Sequence, residues 1–310
     1  MRSIKTYLEI LRKKGFVGCW HEAKKAVWPL WWTRSRAAIE QIQAERASRY
    51  LWKHYQDLIM KPLDETSQAD EPTRSIWVCW LQGREQAPEI VKRCLASMAY
   101  WAPEYEIRLI TAENMFDFVR LPEHIVQRYR EGRIPFAHFS DILRVALLAE
   151  HGGVWLDATV LLTSSLPEQV SAESFFMLQR SVFSSLPHAG SNWFLSARKG
   201  NPIMQRMVEL LCAYWKHENG LRDYYIFHLF LYLLLTRNAE GQKMLKSMPY
   251  VQNVDAHVLQ KCLFDAYDEK RWKTITSHSS IHKLTWKFIH NEPLAESGTN
   301  YDYILHHLHL

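Results

Sequence analysis

The sequence predicts an α/β domain with a largely parallel sheet, preceded by a helical N-terminal extension. Short β-branched and aromatic runs alternate with longer segments in which apolar residues recur every three or four positions, as in strands alternating with helices. The polar stretch of residues 61–73, KPLDETSQADEPT, carries two prolines and separates this region from what precedes it. We therefore predict an extension over residues 1–72 and one domain over residues 73–310.

The composition indicates a folded chain with enough apolar material for a large core. Hydrophobic residues make up 47% of the 310 positions, and charged residues make up 23%. The longest apolar run, residues 224–235, is shorter than the roughly 18 residues of a spanning helix and predicts a buried core helix. The N-terminus lacks the apolar stretch of a secretory signal. Five widely spaced cysteines without a C-x-x-C pair predict a reducing, cytoplasmic location.

Positive charge is concentrated in the first 53 residues. This segment has twelve Lys and Arg against four Glu, a balance of +8 in a chain of net charge +5, so the remainder is mildly acidic. It also contains the aromatic run of residues 26–32, AVWPLWW. Cations beside tryptophan suit an anionic bilayer surface, although the same pattern fits an arm whose tryptophans pack on the main domain. The acidic remainder argues against a nucleic-acid partner.

The individual elements follow in chain order. Residues 35–60 have helical apolar spacing and close the extension. Further helices are predicted after Pro88, which suits a first helical turn, and over residues 112–120, 122–131 and 139–150. Strands rich in β-branched and aromatic residues are predicted over residues 76–81, 105–110, 154–162 and 174–179.

Charged residues cluster around a chain reversal in the middle of the domain. Ser140 is the expected N-cap of a helix, which puts Asp141 in its first turn and Arg144 on the same face. The helix is expected to end at the glycine pair of residues 152–153. Each charge taken alone also fits a structural role such as a helix-dipole contact or a surface ion pair.

A carboxylate interrupts the apolar strand that follows the reversal. Asp157 and Thr159 lie two positions apart in VWLDATVLL, so an extended strand places both side chains on one face. Burying a lone carboxylate is costly without a partner. The sequence therefore predicts a polar or charged partner for Asp157.

The string S-D-I-L-R-x₇-G-G-V-W-L-D-A-T over residues 140–159 resembles the core block of capsular polysaccharide synthesis proteins, within the DXD-type glycosyltransferases. Weaker matches carry the resemblance over about residues 75–290, in the stretches 77–83, 105–114, 192–202 and 282–287. The resemblance implies a GT-A fold, in which a mostly parallel sheet is flanked by helices. It also implies transfer of a sugar from a nucleotide-sugar donor to a hydroxyl.

The resemblance also assigns roles to residues. In the family, the residues that correspond to Asp141 and Arg144 hold the donor sugar and its ribose. The residue that corresponds to Asp157 contacts the ribose or the sugar. These three are the expected catalytic residues. The expected remainder of the nucleotide-sugar site comprises Gln82 and Gly83 at the base, His282, Lys283 and Lys287 near the diphosphate, and Trp80, Asn114, Ser140, Gly153 and Thr159.

One position departs from the DXD pattern. Thr159 stands where the wider group has its second, metal-binding carboxylate, and a hydroxyl is a weaker ligand for a hard cation. Two arrangements are open for the charge of the diphosphate. Either Asp157 with His282 still holds Mn²⁺ or Mg²⁺, which we expect, or lysines 283 and 287 neutralise the diphosphate directly.

The expected function is that of a cytoplasmic, membrane-peripheral glycosyltransferase that extends a lipid-linked bacterial surface polysaccharide. Because the wider group is mostly retaining, we expect a retaining hexosyltransferase. The alternative is a catalytically silent nucleotide- or glycan-binding assembly partner at the membrane, for which Thr159 is the supporting feature. Dehydrogenase, P-loop NTPase, serine hydrolase and zincin functions lose their main support, since none of their signature motifs occurs.

Overall fold

The computed structural model describes residues 35–64, 68–69, 71–182, 184, 186–287 and 297–310. Most of the predicted basic and aromatic segment, residues 1–34, lies outside the described residues. Within the described residues, the strands are β1 (Ser75–Cys79), β2 (Glu106–Ile110), β3 (Gly153–Leu156), β4 (Val160–Leu162), β5 (Phe175–Gln179), β6 (Gly190–Ala197) and β7 (Ile281–Lys283).

Helices surround these strands. In chain order they are α1 (Arg36–Met60), α2 (Glu89–Trp101), α3 (Met115–Phe118), α4 (Glu123–Arg130), α5 (Phe136–His151), α6 (Gln169–Ala172), α7 (Pro202–His217), α8 (Ile226–Arg237), α9 (Ala239–Ser247), α10 (Val258–Lys261), α11 (Glu269–His278) and α12 (Asn300–Asp302). A 3₁₀ turn at Asp255–His257 precedes α10, and a π-helical turn at Tyr303–His307 follows α12.

The central sheet is mixed, with strand order β2-β1-β3-β6-β5. Strand β1 pairs in parallel with β2 and β3, as the sequence predicts, whereas β6 runs antiparallel to both β3 and β5. The expectation of a largely parallel sheet is therefore wrong for this half. The reason is that residues 180–189 join β5 to the unpredicted β6, and this connection is too short for the crossover that a parallel pair needs.

The strand predicted over residues 154–162 is two strands. Strand β3 belongs to the central sheet, but β4 pairs with β7 in a separate two-stranded sheet. Between them the chain turns, because the Val160 N–H donates to the carbonyl of Asp157 at 2.9 Å and the Asp157 N–H donates to that of Trp193. Asp157 and Thr159 thus lie in a turn and not on one face of an extended strand.

Helix α5 begins earlier than predicted. Its N-cap is Pro135, whose carbonyl accepts from the N–H groups of His138 and Phe139 at 2.9 Å. Proline has its φ already fixed near the helical value and therefore suits a helix start. Ser140 is consequently the fifth residue of the helix and not its N-cap, and Asp141 lies in the second turn.

Helix α1 packs on the domain along one face. Leu51 and Ile59 are fully buried in the same apolar core as the sheet, and the helix lies against α7 and α8. The buried Arg206 donates to the carbonyls of Leu58, Lys61 and Pro62 and so satisfies the C-terminal end of α1. The predicted domain boundary near residue 72 itself stays a prediction.

The predicted buried helix is α8, which begins at Ile226 and has an apolar surface inside the core. Among the described residues, none of the helices combines the length and apolar character needed to cross a bilayer.

Candidate functional site

Chain segments that leave the sheet at its carboxyl edge form the candidate site. Strands β1 and β3 are parallel neighbours, so the residues after them, Trp80 and Asp157, emerge at the same edge. This edge is where open α/β sheets bind ligands. Strand β7 reaches the site from the second sheet, since Val160 lies opposite Lys283.

Arg144 occupies the centre of the site. Its Nη1 contacts Asp141 Oδ1, and its Nη2 donates to Asp157 Oδ1 at 3.0 Å. The guanidinium carbon lies 4.7 Å from the centroid of the Trp155 ring and 5.6 Å from that of Phe227. Only 3% of the Arg144 side chain is exposed. One buried guanidinium therefore joins the two predicted catalytic carboxylates.

Lys283 binds both polar residues of the D-A-T turn. Its Nζ lies 2.7 Å from Asp157 Oδ2 and 2.7 Å from Thr159 Oγ1. The Lys283 side chain is 19% exposed and that of Asp157 is 28% exposed. The lysine thus reaches the turn from within the protein, while the carboxylate stays open to solvent on one side.

The two carboxylates have opposite pKa shifts. Burial favours the neutral form of Asp157, but the Lys283 ammonium and the Arg144 guanidinium outweigh it and hold the pKa of this carboxyl well below its usual range. Burial raises the pKa of Asp141 to about 6, because its ion pair with Arg144 and its hydrogen bond from Asn192 only partly offset desolvation. Asp157 therefore keeps its charge to lower pH than Asp141 does.

Two further residues complete this network. Trp155 Nε1 donates to Asp157 Oδ1 at 3.0 Å, and Asn192 Nδ2 donates to Asp141 Oδ1 at 2.9 Å. Neither residue is among the site residues predicted from the sequence. Trp155 could have been suspected, since it lies two residues before Asp157 and a buried indole N–H needs an acceptor. Asn192 comes from β6, a strand that was not predicted.

Tryptophans line the part of the edge that follows β1. The Trp80 ring meets the Trp286 ring edge to face, with centroids 5.4 Å apart. The Trp80 Nε1 is buried and has no hydrogen-bond partner among the described residues. Gln82 is exposed beside it, and Gly83 closes the turn by donating to the Trp80 carbonyl at 2.9 Å. Trp80 and Trp286 therefore form an aromatic pair at this part of the edge.

Gly153 and His282 are not brought to the site. Gly153 begins β3, about four residues or roughly 13 Å before Asp157, and it packs on the start of β1. His282 follows the strand alternation to the face opposite Lys283, where its Nε2 lies 3.0 Å from Thr163 Oγ1. Burial lowers the pKa of His282 to about 4.

The remaining predicted site residues, Asn114, Ser140 and Lys287, contact their own neighbours in the chain or the solvent. The Asn114 side chain accepts from the Thr111 N–H and donates to the Leu109 carbonyl, so it holds the turn after β2. Ser140 is half-buried within α5. Lys287 is exposed, and its Nζ lies 5.4 Å from the Trp286 ring centroid.

A divalent ion fits these residues poorly. Mg²⁺ and Mn²⁺ take several oxygen ligands, with carboxylates prominent among them. Within the described part of the chain, no group of three or more His, Cys, Asp or Glu could hold a metal ion. Asp157 and Thr159 share the Lys283 ammonium, and His282 lies on the other face. The expectation of bound Mn²⁺ or Mg²⁺ stays a prediction without a ligand set among these residues.

An aromatic cluster adjoins the ion-pair network at the start of α8. The His188 ring centroid lies 4.8 Å from that of Tyr225 and 5.0 Å from that of His228. Burial lowers the pKa of His188 to about 4 and that of His228 well below 6.5, so both imidazoles are neutral. Tyr224 is 67% exposed beside them. Exposed tyrosine next to neutral imidazoles offers a surface on which a polar ring can stack.

Part of the chain is similar to three curated fungal proteins. The chain is 23% identical over 168 residues to the O-glycosyltransferase braB of Annulohypoxylon truncatum, a match that covers 49% of the chain and 40% of that protein. It is 26% identical over 168 residues to the glycosyltransferase afumC of Aspergillus fumigatus, covering 47% of the chain and 41% of the relative. The O-glycosyltransferase PaGT of Phomopsis amygdali is 23% identical over 175 residues, 51% of the chain and 42% of the relative.

The match thus spans about two fifths of the length of these curated relatives. Among solved structures, the PaToxG glycosyltransferase superposes with a TM-score of 0.39 at 17% identity, over 66% of this chain and 83% of that one. The family described as capsular polysaccharide synthesis protein matches residues 24–304, nearly the whole chain. The chain belongs to the capsular polysaccharide synthesis protein family.

Proposed function

We propose that this protein is a glycosyltransferase, which moves a sugar from a nucleotide-sugar donor to a hydroxyl of a glycan. The observation that carries the proposal is the Asp141–Arg144–Asp157–Lys283 network at the carboxyl edge of the sheet. Three relatives named as glycosyltransferases, two of them as O-glycosyltransferases, support transfer to an oxygen.

The network supports a site for the sugar and ribose of the donor. Asp157 is charged at neutral pH and partly exposed, so its carboxylate accepts hydrogen bonds from hydroxyl groups. Arg144 contacts Asp157 from the protein interior, and both Arg144 and its partner Asp141 are almost completely buried. Their role in the proposal is to fix Asp157 in place, so that little reorganisation accompanies binding.

The nucleotide base is proposed to bind at the Trp80–Trp286 pair. Trp286 is 42% exposed and Trp80 is half-buried, so the pair offers aromatic surface on which a base can stack. The diphosphate then lies towards Lys283 and Lys287, which balance its charge as the bond to the sugar breaks.

The acceptor is proposed to enter over the start of α8. Tyr224 and Tyr225 are exposed there, next to the Phe227 ring that packs on Arg144. A sugar ring stacks on tyrosine through its apolar face while its hydroxyls stay hydrated. The proposed acceptor is a lipid-linked surface polysaccharide, and the family description supports a polysaccharide.

We propose retention of the anomeric configuration. An inverting enzyme needs a carboxylate that is free to take the acceptor proton, whereas both carboxylates of this site are paired with cations. The anomeric coupling constant of the first-formed product, measured by NMR, tests this part of the proposal.

The proposed location is the inner face of the cell membrane, contacted through the basic and aromatic residues 1–53. Co-sedimentation with vesicles tests it. Binding to vesicles with anionic lipid and release at high salt would support the contact, while equal binding to neutral vesicles would count against it.

A panel of UDP-, GDP- and CMP-sugars, assayed by calorimetry and by release of free nucleotide, tests the enzymatic proposal. We expect one donor to bind and to be slowly hydrolysed without acceptor. A donor that binds but is never hydrolysed or transferred would favour the catalytically silent binder. Absence of binding to every nucleotide sugar of the panel would refute the transferase and leave only a glycan-binding partner.

A further inference from the structure

Lys283 takes the position between the two polar residues of the D-A-T turn. Its ammonium lies at 2.7 Å from a carboxylate oxygen of Asp157 and at 2.7 Å from the hydroxyl of Thr159. A metal bound by a two-carboxylate motif would need the same space between the same two positions. Here that space holds a positively charged side chain of the chain itself.

The backbone fixes the approach of this lysine. Strand β7 pairs antiparallel with β4, with Val160 opposite Lys283. The next residue, Leu284, donates its N–H to the Thr159 carbonyl at 2.8 Å. Lys283 and the residue after it are therefore tied to the chain at the turn that carries its two partners, so the ammonium is positioned before any ligand arrives.

The chemistry of the ammonium leaves capacity for a ligand. A lysine ammonium has three N–H donors, and Asp157 and Thr159 take two of them. The side chain is 19% exposed, and Arg144 supplies a second cation to Asp157. Across the network the two cations are balanced by the carboxylates of Asp141 and Asp157, so the capacity for an anion lies in the third N–H of the ammonium.

Resting on the proposed function, we propose that Lys283 is a resident cation that binds the diphosphate of the sugar donor, in place of a divalent metal. This arrangement explains why residue 159 is a threonine and not a second carboxylate. A second carboxylate at that position would compete with the diphosphate for the ammonium, whereas a hydroxyl accepts one N–H without adding negative charge. The substrate class is a nucleoside diphosphate sugar whose binding does not require a divalent ion.

The test measures UDP and GDP binding by calorimetry, in EDTA and in Mn²⁺. For wild type, we expect the same dissociation constant within about twofold in both conditions. Lys283→Met keeps the apolar stem, and we expect it to weaken binding about 10- to 100-fold through loss of a charge-assisted hydrogen bond. Lys273→Met, at an exposed lysine on α11, is the matched control and is expected to bind like wild type.

A double variant, Thr159→Asp with Lys283→Ala, exchanges the resident cation for a carboxylate pair. We expect it to bind Mn²⁺ alone in electron paramagnetic resonance titrations, where wild type does not, and to recover nucleotide binding only with Mn²⁺. Circular dichroism verifies that each variant is folded. The Lys283→Met measurement decides the matter independently if the double variant does not fold.

The outcomes separate the two proposals. Wild-type binding that appears only with Mn²⁺ would overturn the role of Lys283 and leave the transferase proposal standing. Unchanged binding in folded Lys283→Met would do the same. No binding of either nucleotide to wild type under both conditions would overturn the donor site and the resident cation together.

Discussion

Arg144 holds Asp157 from beneath through its Nη2, at 3.0 Å from Oδ1, while its Nη1 contacts Asp141. The two carboxylates are sixteen positions apart along the chain, one in α5 and one in the turn after β3. Removing the shared cation would leave two buried or half-buried negative charges together. The stability of the turn and the charge of the site therefore depend on the same side chain.

Replacing Arg144 should destabilise the protein strongly. We expect Arg144→Ala to lower the free energy of unfolding by about 3–5 kcal/mol, because it leaves buried carboxylates without their partner. Urea unfolding followed by circular dichroism measures the effect. Lys92→Ala, which breaks the more exposed pair with Glu89, is the control and should cost under about 0.5 kcal/mol. Similar losses for both variants would contradict the central role of Arg144.

Asp157→Asn should abolish sugar transfer in a folded protein. The amide keeps the size of the side chain but loses the charge that pairs with Arg144 and Lys283 and that binds hydroxyls in the proposed site. We expect turnover to fall at least about 100-fold. Product formation from a labelled donor measures this, and circular dichroism checks the fold. Wild-type turnover in folded Asp157→Asn would refute the assigned site.

Gly153→Ala should reduce stability more than Gly132→Ala. Both glycines have positive φ, +100° and +65°, where alanine costs roughly 1–2 kcal/mol. A Cβ at residue 153 would also lie 2.5 Å from the Ser75 carbonyl oxygen, whereas one at residue 132 meets nothing within 4 Å. Thermal unfolding of the two variants measures the difference. Equal losses would show that the close contact with β1 contributes nothing.

His282 should make the protein less stable as the pH falls from about 6.5 to 4. Its folded pKa is lowered to about 4 by burial, below the unfolded value of about 6.5. In that interval the unfolded chain binds more protons, so stability rises with pH by up to about 1.4 kcal/mol per pH unit for this group. Urea unfolding at several pH values should show a shallower dependence in His282→Gln. An unchanged slope would mean that His282 does not supply this proton.

Tyr224→Ala should weaken use of the acceptor while leaving donor binding intact. Tyr224 is exposed just before α8, and the hydrogen bonds that hold Asp157 come from Arg144, Trp155 and Lys283 instead. We expect the acceptor KM to rise about tenfold, as for the loss of one stacked ring, and the dissociation constant of the donor to stay the same. A change in donor binding alone would place Tyr224 in the donor site instead.

Local sequence patterns predicted several of the helices and strands. The helix over residues 35–60, the strands β1 and β2 and the buried helix after residue 225 all appear close to their expected bounds. Apolar periodicity determines these elements, because each buries one face or all of its surface. The pairing partners of the strands were less predictable. Strand β6 was not predicted, and its antiparallel pairing with β3 and β5 makes the central sheet mixed.

The residues of the candidate site also fall into two groups, those identified from the sequence and those identified only by the structure. The sequence by itself determined that Asp141, Arg144 and Asp157 are exceptional, because charges in apolar segments need partners. It also determined that Thr159 cannot supply a second carboxylate. Only the tertiary structure decided that Lys283, and not its neighbour His282, meets Asp157. That choice depends on the register of β7 against β4, since moving a strand by one residue exchanges the side chains on its two faces.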